Sequence, residues 1–148
     1  EESDPFEVGF VTGAFMLIPL DSWRLINSMD ETFFLYFEDV DLAYRLRKKD
    51  KTICVNPKIV AEHESGVSFE DDEDGSSYKL GCWFESAYNF FGIHYGKKEQ
   101  LRIINTMIKM AKSKSLLLKL VLRGKGEPAV RQKLILDIHE EILRKISG

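Results

Sequence analysis

From Ser77 to the end of the chain, apolar side chains recur at three- and four-residue spacing, and the rhythm breaks near Gly96 and again at Gly124–Pro128. That spacing lines one face of a helix, and Gly and Pro are the residues that end helices. The C-terminal half therefore reads as consecutive helices. The N-terminal half reads as short alternating elements. Val8–Gly13 and Ala14–Leu20 are apolar, bounded by Gly13 and Pro19, and predict strands. Thr52–Val55 and Ile59–Ala61 predict two more, separated by Asn56-Pro57. Asp21 is placed to cap a short helix through Trp23, Leu25 and Ile26, and Met29–Thr32 reads as a turn into the run Phe33–Phe37. Asp39–Lys49 has Val40, Leu42, Ala43 and Leu46 near helical spacing, acids at its start and Arg45, Arg47, Lys48 and Lys49 at its end. That order of charge complements the helix dipole.

At 148 residues and 44% hydrophobic composition, the chain has the length of one domain and enough apolar content for a core, which argues against disorder. The net charge of −3 argues against a nucleic-acid binder, whose domain is usually strongly basic. Cys54 and Cys82 are too few for a disulfide framework and fit no CxxC spacing, so a reducing, cytoplasmic setting is expected. No apolar stretch is long enough to span a bilayer. The sequence opens Glu-Glu-Ser-Asp-Pro without a methionine, which predicts a piece of a longer chain.

The mean charge hides an asymmetry. Residues 1–96 carry 8 basic and 19 acidic side chains, residues 97–125 carry 9 basic and one acidic, and the remainder balance. An acidic body followed by a basic segment is a partner signal for that segment. Lys109–Arg123 mixes lysines with Leu116–Leu118, Leu120, Val121 and Leu122, a pattern shared by helices that lie on anionic membranes and by helices that pack on protein. Glu70–Gly75 imitates the start of a calcium loop, but its twelfth position is Gly81 where a bidentate Glu is needed, so residues 64–76 read as a solvated acidic loop. Cys82-Trp83-Phe84 with Tyr88, Phe90 and Phe91 reads as an aromatic core face.

The segment richest in chemistry is Phe37-Glu38-Asp39-Val40-Asp41, followed by His63. Three carboxylates crowd the mouth of a helix behind an apolar run. Crowding and partial burial disfavour a carboxylate's charged form, whereas the helix N-terminus favours it. The balance is an ionised carboxylate at an apolar wall, suited to act as general base toward a hydroxyl. Asp41 and Arg45, four apart, can pair along the helix and leave Glu38 and Asp39 as the free acids. The same residues also suit a helix start with no further role.

Val8–Ile18, then Met29–Arg47, then Val55-Asn56-Pro57, Ala61-Glu62-His63 and Gly66-Val67-Ser68, in this order and spacing, resemble the second half of family 2 glycosyltransferases, most closely the rhamnosyltransferase-like enzymes of bacterial polysaccharide synthesis. The resemblance implies an α/β fold, the acceptor-side half of a GT-A domain with mixed short strands over residues 1–96, followed by a helical extension over 97–148. It implies inverting transfer of a sugar, rhamnose among the candidates, from a nucleotide-sugar donor to a hydroxyl of a polysaccharide or lipid-linked glycan. It matches Asp39 to the catalytic base and Glu38 to its companion, and His63 to a ligand of the divalent metal, Mn or Mg, on the donor diphosphate. Gly13, Ala14, Phe37, Asp41 and Arg45 fall at substrate-binding positions. Such an enzyme would work in the cytoplasm at the inner face of the plasma membrane, with residues 109–123 as a membrane contact. The family's nucleotide-binding half has no counterpart in this sequence, and Asp39-Val40-Asp41 and Asp72-Glu73-Asp74 match its DxD only as strings, the first being the base motif and the second part of the acidic loop, so the chain alone is expected to be inactive. The family also carries Gly-Gly-Phe where Asn27-Ser28-Met29 stands, and a glycine where Asp50 stands. The rival expectation is a non-catalytic interaction module, with an acidic body and basic helices that pair with a partner or a second copy.

Overall fold

The order of charge that marks Asp39–Lys49 does produce a helix. The computed structural model describes residues 4–63, 73–122 and 126–148, which carry β1 (Phe6–Glu7), α1 (Leu20–Leu25), α2 (Glu38–Arg47), β2 (Cys54–Val55), α3 (Glu73–Tyr95), α4 (Lys97–Leu122) and α5 (Glu127–Ser147). The chain divides into two compact units, residues 1–75 and 76–148.

In the first unit α2 is the organising element. Glu38, Asp39 and Asp41 fall in its first turn and Arg45 and Arg47 in its last, each favourable to the dipole. Its Leu42 and Leu46 are buried with Ile26, and Met16, Ile18, Trp23, Met29 and Ile53 pack around them. The turn at Asp30 forms as expected, with Thr32 N–H donating to the Asp30 carboxylate at 2.9 Å and Phe33 N–H to the Asp30 carbonyl at 3.2 Å.

The expected α/β framework is not what this sequence builds. Most of the described residues are helical, and they form five helices and one two-stranded sheet, not half of a GT-A domain. The sheet is antiparallel, with Phe6 opposite Val55 and Glu7 opposite Cys54. Val8 N–H donates to the Ile53 carbonyl at 2.9 Å and extends the pairing by one bond. Residues 8–19 and 59–61, expected as strands, are irregular. Strand propensity reflects packing beside a neighbouring strand more than a backbone preference. Beyond Val8, the described residues offer these runs no ladder partner, and Leu17 and Val60 are left about nine-tenths exposed, at 90% and 86%. Asp21 is also not the cap of α1. Pro19 takes that position, its carbonyl accepts from Trp23 N–H at 3.0 Å, and Asp21 sits inside the first turn with no capping bond.

The second unit follows the sequence rhythm closely. Phe84 and Tyr88 of α3, Ile104 and Ile108 of α4, and Ile142 of α5 form one buried cluster. Gly96 separates α3 from α4 by a single residue at φ +88°, a left-handed value that a side chain would oppose. Its N–H donates to the Gly92 carbonyl, and its own carbonyl accepts from Glu99 and Gln100, so one glycine ends one helix and starts the next. A Cβ at Gly92 would lie 2.7 Å from Gln100 Nε2, and that buried amide donates to the Tyr88 carbonyl at 3.1 Å. α3 begins at Glu73, inside the stretch read as an acidic loop, while residues 64–72 lie outside the described residues.

The second core also encloses a polar pair that the sequence pattern did not signal. Tyr88 Oη and His139 Nδ1 share a hydrogen bond at 2.8 Å, and His139 is 1% exposed, with its ring edge-on to Phe84. Burial pushes the Tyr88 hydroxyl up from its ordinary value and the His139 imidazole down, so both are held neutral.

Candidate functional site

The chain enters α2 through two left-handed aromatic residues, Tyr36 at φ 66° and Phe37 at φ 67°. A left-handed conformation costs a residue with a side chain about 1–2 kcal/mol. Such outliers persist where the surroundings over-determine them, and they cluster at functional sites. Here they deliver Glu38 and Asp39 to the N-terminus of α2, where the free backbone amides favour negative charge.

Asp39 is held from two sides. Its Oδ2 accepts the N–H of Gly13 at 3.1 Å, across 26 residues of chain, and its Oδ1 accepts Val40 N–H at 2.7 Å. Each carboxylate oxygen retains a further lone pair for a ligand. Glu38 lies on the same side, since a Cβ at Gly13 would sit 3.7 Å from Glu38 Oε1 and 4.0 Å from Asp39 Cβ. Its Oε2 is buried with no hydrogen-bond partner among the described residues. Gly13, Glu38 and Asp39 thus come together, with Ala14 exposed beside Gly13 and Phe37 half-buried behind.

Asp41 and Arg45 pair as their spacing predicts, Nε donating to Oδ2 at 2.7 Å, with Asp41 fully buried. The guanidinium reaches further. Its Nη1 donates to the carbonyls of Ile26 at 2.6 Å and Ser28 at 2.7 Å, which fastens α2 to the loop after α1. That loop contains Asn27 at φ 57° and Ser28 at φ 64°. Asp41 and Arg45 are therefore built as a clamp beneath the site, although Arg45 Nη2 is left without a partner among the described residues.

Asp39 also lines a cleft of about 430 Å³, within the range of small-molecule sites. Its walls are mostly apolar, from Phe15, Ile18, Leu42, Ile53, Val55 and Ile59. Asp39 is the one carboxylate among these lining residues, and Lys51 and Asn56 add polar groups. Sequence reasoning passed over Lys51. Asn56, read in the sequence as a break between strands, does act as a turn residue, its side chain accepting Lys58 N–H at 3.0 Å. No residue-type signal marks Tyr36, because its left-handed backbone is imposed from outside.

His63 is exposed at the end of the first described run, and Gly66, Val67 and Ser68 lie outside the described residues. Among the described residues no three His, Cys, Asp or Glu side chains gather into a group able to hold a metal ion. The described residues do not by themselves form a divalent-metal site.

Comparison of the chain with protein-family models, curated proteins and solved structures finds no match.

Proposed function

We propose that this chain supplies the acceptor-side groups of an inverting glycosyltransferase, with Asp39 as the base. The observation that carries this is a backbone coincidence. At the three places where the sequence lacks the glycines of family 2 glycosyltransferases, Asn27, Ser28 and Asp50, the backbone is left-handed, at φ 57°, 64° and 56°. Left-handed backbone is what glycine supplies at least cost, and Asn and Asp are its next-best occupants. The chain thus departs from the family pattern in side chain while keeping the backbone that pattern calls for.

In the proposed reaction an acceptor hydroxyl seated in the cleft faces a lone pair of Asp39. As its oxygen bonds to the anomeric carbon, the bond from that carbon to the donor diphosphate breaks, the nucleoside diphosphate leaves with the electron pair, and the hydroxyl proton passes to the Asp39 carboxylate. Gly13 N–H and Val40 N–H hold that carboxylate in a fixed orientation, so little reorganisation is needed at the moment of proton transfer. The apolar walls favour a lipid-linked acceptor over a free polysaccharide. The donor and its divalent metal, Mn or Mg, belong to the same proposal.

The test is the stereochemistry of transfer. The longest natural chain that contains this sequence is incubated with a panel of nucleotide sugars and a lipid-linked glycan, and the product is read by NMR. An anomeric configuration opposite to the donor's is expected. Retained configuration would overturn the role of Asp39, because retention does not proceed through a single base-assisted displacement.

A further inference from the structure

The C-terminal half of α4 presents a face that the core of the second unit does not use. Gln100, Ile104, Ile108 and Ala111 turn inward at helical spacing and are buried. Leu116, Leu117, Leu120 and Val121 point elsewhere, at 60%, 58%, 74% and 68% exposed. Leu116 and Leu120 are four apart, as are Leu117 and Val121, and Met110 joins the second row seven residues before Leu117 at 61% exposed. These five form two adjacent rows on one side of the helix.

The charges that α4 itself carries along those rows are cationic. α4 carries seven Lys and Arg and one acid, Glu99, which lies in its first turn. Lys109, Lys114 and Lys119 are exposed along the same stretch, and Lys114 falls in line with Met110 and Val121. Lys112 is drawn away to Glu140 of α5, with 2.8 Å between Nζ and Oε1. An apolar strip bordered by cations complements a surface that is anionic outside and apolar just beneath. Lysine stems let their ammonium groups reach headgroups while the leucines enter the acyl boundary. A second copy of the chain fits less well, because a symmetric pairing would gather the lysines of two cationic strips into one interface. Among the described residues no helix is long and apolar enough to cross a membrane, so the contact lies on the surface.

We propose that the C-terminal half of α4 docks on an anionic lipid surface, with Leu116, Leu117, Leu120 and Val121 inserted and Lys109, Lys114 and Lys119 among the headgroups. The inference is independent of the glycosyl-transfer chemistry. It is tested by co-sedimentation of the full chain with vesicles of three parts phosphatidylcholine to one part phosphatidylglycerol, beside vesicles of phosphatidylcholine alone. Sedimentation with the anionic vesicles and not the neutral ones is expected, weakening as salt is raised. Lys114→Glu with Lys119→Glu should weaken it roughly thirtyfold, at about fivefold for each cation removed. Leu116→Ser with Leu120→Ser should weaken it at least about tenfold while leaving helical circular dichroism unchanged, since both side chains face solvent. Failure to sediment with anionic vesicles, or sedimentation equal in wild type and in the charge-reversed variant, overturns the proposal. So does a wild-type dimer that the leucine substitutions dissociate in the absence of any vesicle binding.

Discussion

The two units hold their chains in opposite ways. In the second, the described residues take positive φ at glycine alone, Gly96 and Gly126, and both lie at helix ends. In the first, five residues with side chains, Asn27, Ser28, Tyr36, Phe37 and Asp50, take positive φ. The second unit is relaxed backbone around a continuous apolar cluster, and its buried Tyr88, His139, Gln100 and Gln132 side chains are hydrogen-bonded to one another or to backbone. The first stores strain on both sides of α2, around a smaller cluster of Ile26, Leu42 and Leu46, and ties its strained loop down with a buried ion pair. Strain next to an oriented carboxylate is the arrangement expected where a chain has to present a group and not merely pack.

The contrast breaks first at what holds each unit. Replacing Arg45 with Met takes the cation away from the buried Asp41 carboxylate and frees the Ile26 and Ser28 carbonyls, and is expected to cost the first unit about 3–5 kcal/mol. Ile104→Ala, at a fully buried position, is expected to cost the second about 2–5 kcal/mol through the cavity it leaves. Trp23 lies in the first unit and Trp83 in the second, so denaturant unfolding of single-tryptophan variants reads each cost separately. Loss confined to the unit that carries the substitution is expected.

Strain is the next lever. Ser28→Gly should be neutral or stabilise the first unit by up to about 1 kcal/mol, whereas Ser28→Val should destabilise it by about 1–2 kcal/mol, because a β-branched side chain resists left-handed backbone. Melting of the two variants compared with wild type decides the matter, and equal behaviour would remove the backbone argument.

A smaller effect belongs to the second unit and to pH. His139 is held below its ordinary value by burial, so the unfolded chain binds the proton more readily than the folded one. The stability this represents is present above the ordinary histidine value near 6.5 and is lost as pH falls from there toward the lowered value. Tyr88 works in the opposite sense. Its value is raised by burial, so its contribution is intact below the ordinary phenol value near 10 and is lost as pH climbs above it. Melting followed through Trp83 should fall at both extremes.

What the sequence disclosed depended on whether the signal was local. The helices of the second unit, the breaks at Gly96 and near Pro128, and the Asp41–Arg45 pair were legible because helical spacing brings i and i+4 together without help from elsewhere. The strands expected between Val8 and Leu20 were not there, because a strand needs a partner and an apolar run does not reveal whether one exists. The α/β class failed with them. Asp39 was identifiable by residue type and position, but its bond to Gly13 spans 26 residues and its cleft draws lining from Val11 to Ile59. Tyr36 and Phe37 carry no mark of left-handed backbone, since aromatic residues seldom adopt it and the surrounding packing imposes it.

The central claim is that Asp39 does chemistry while Asp41, two residues on, holds structure. Asp39→Asn and Asp41→Asn in the longest natural chain are compared for turnover and for melting of the first unit. Asp39→Asn is expected to lower kcat by roughly a thousandfold, the scale of a lost general base, with little change in melting. Asp41→Asn is expected to lower melting clearly, by removing the charge that pairs with Arg45, and to leave kcat of the folded fraction within about tenfold. Near-normal turnover of Asp39→Asn, or a turnover loss that follows Asp41 instead, would contradict the account.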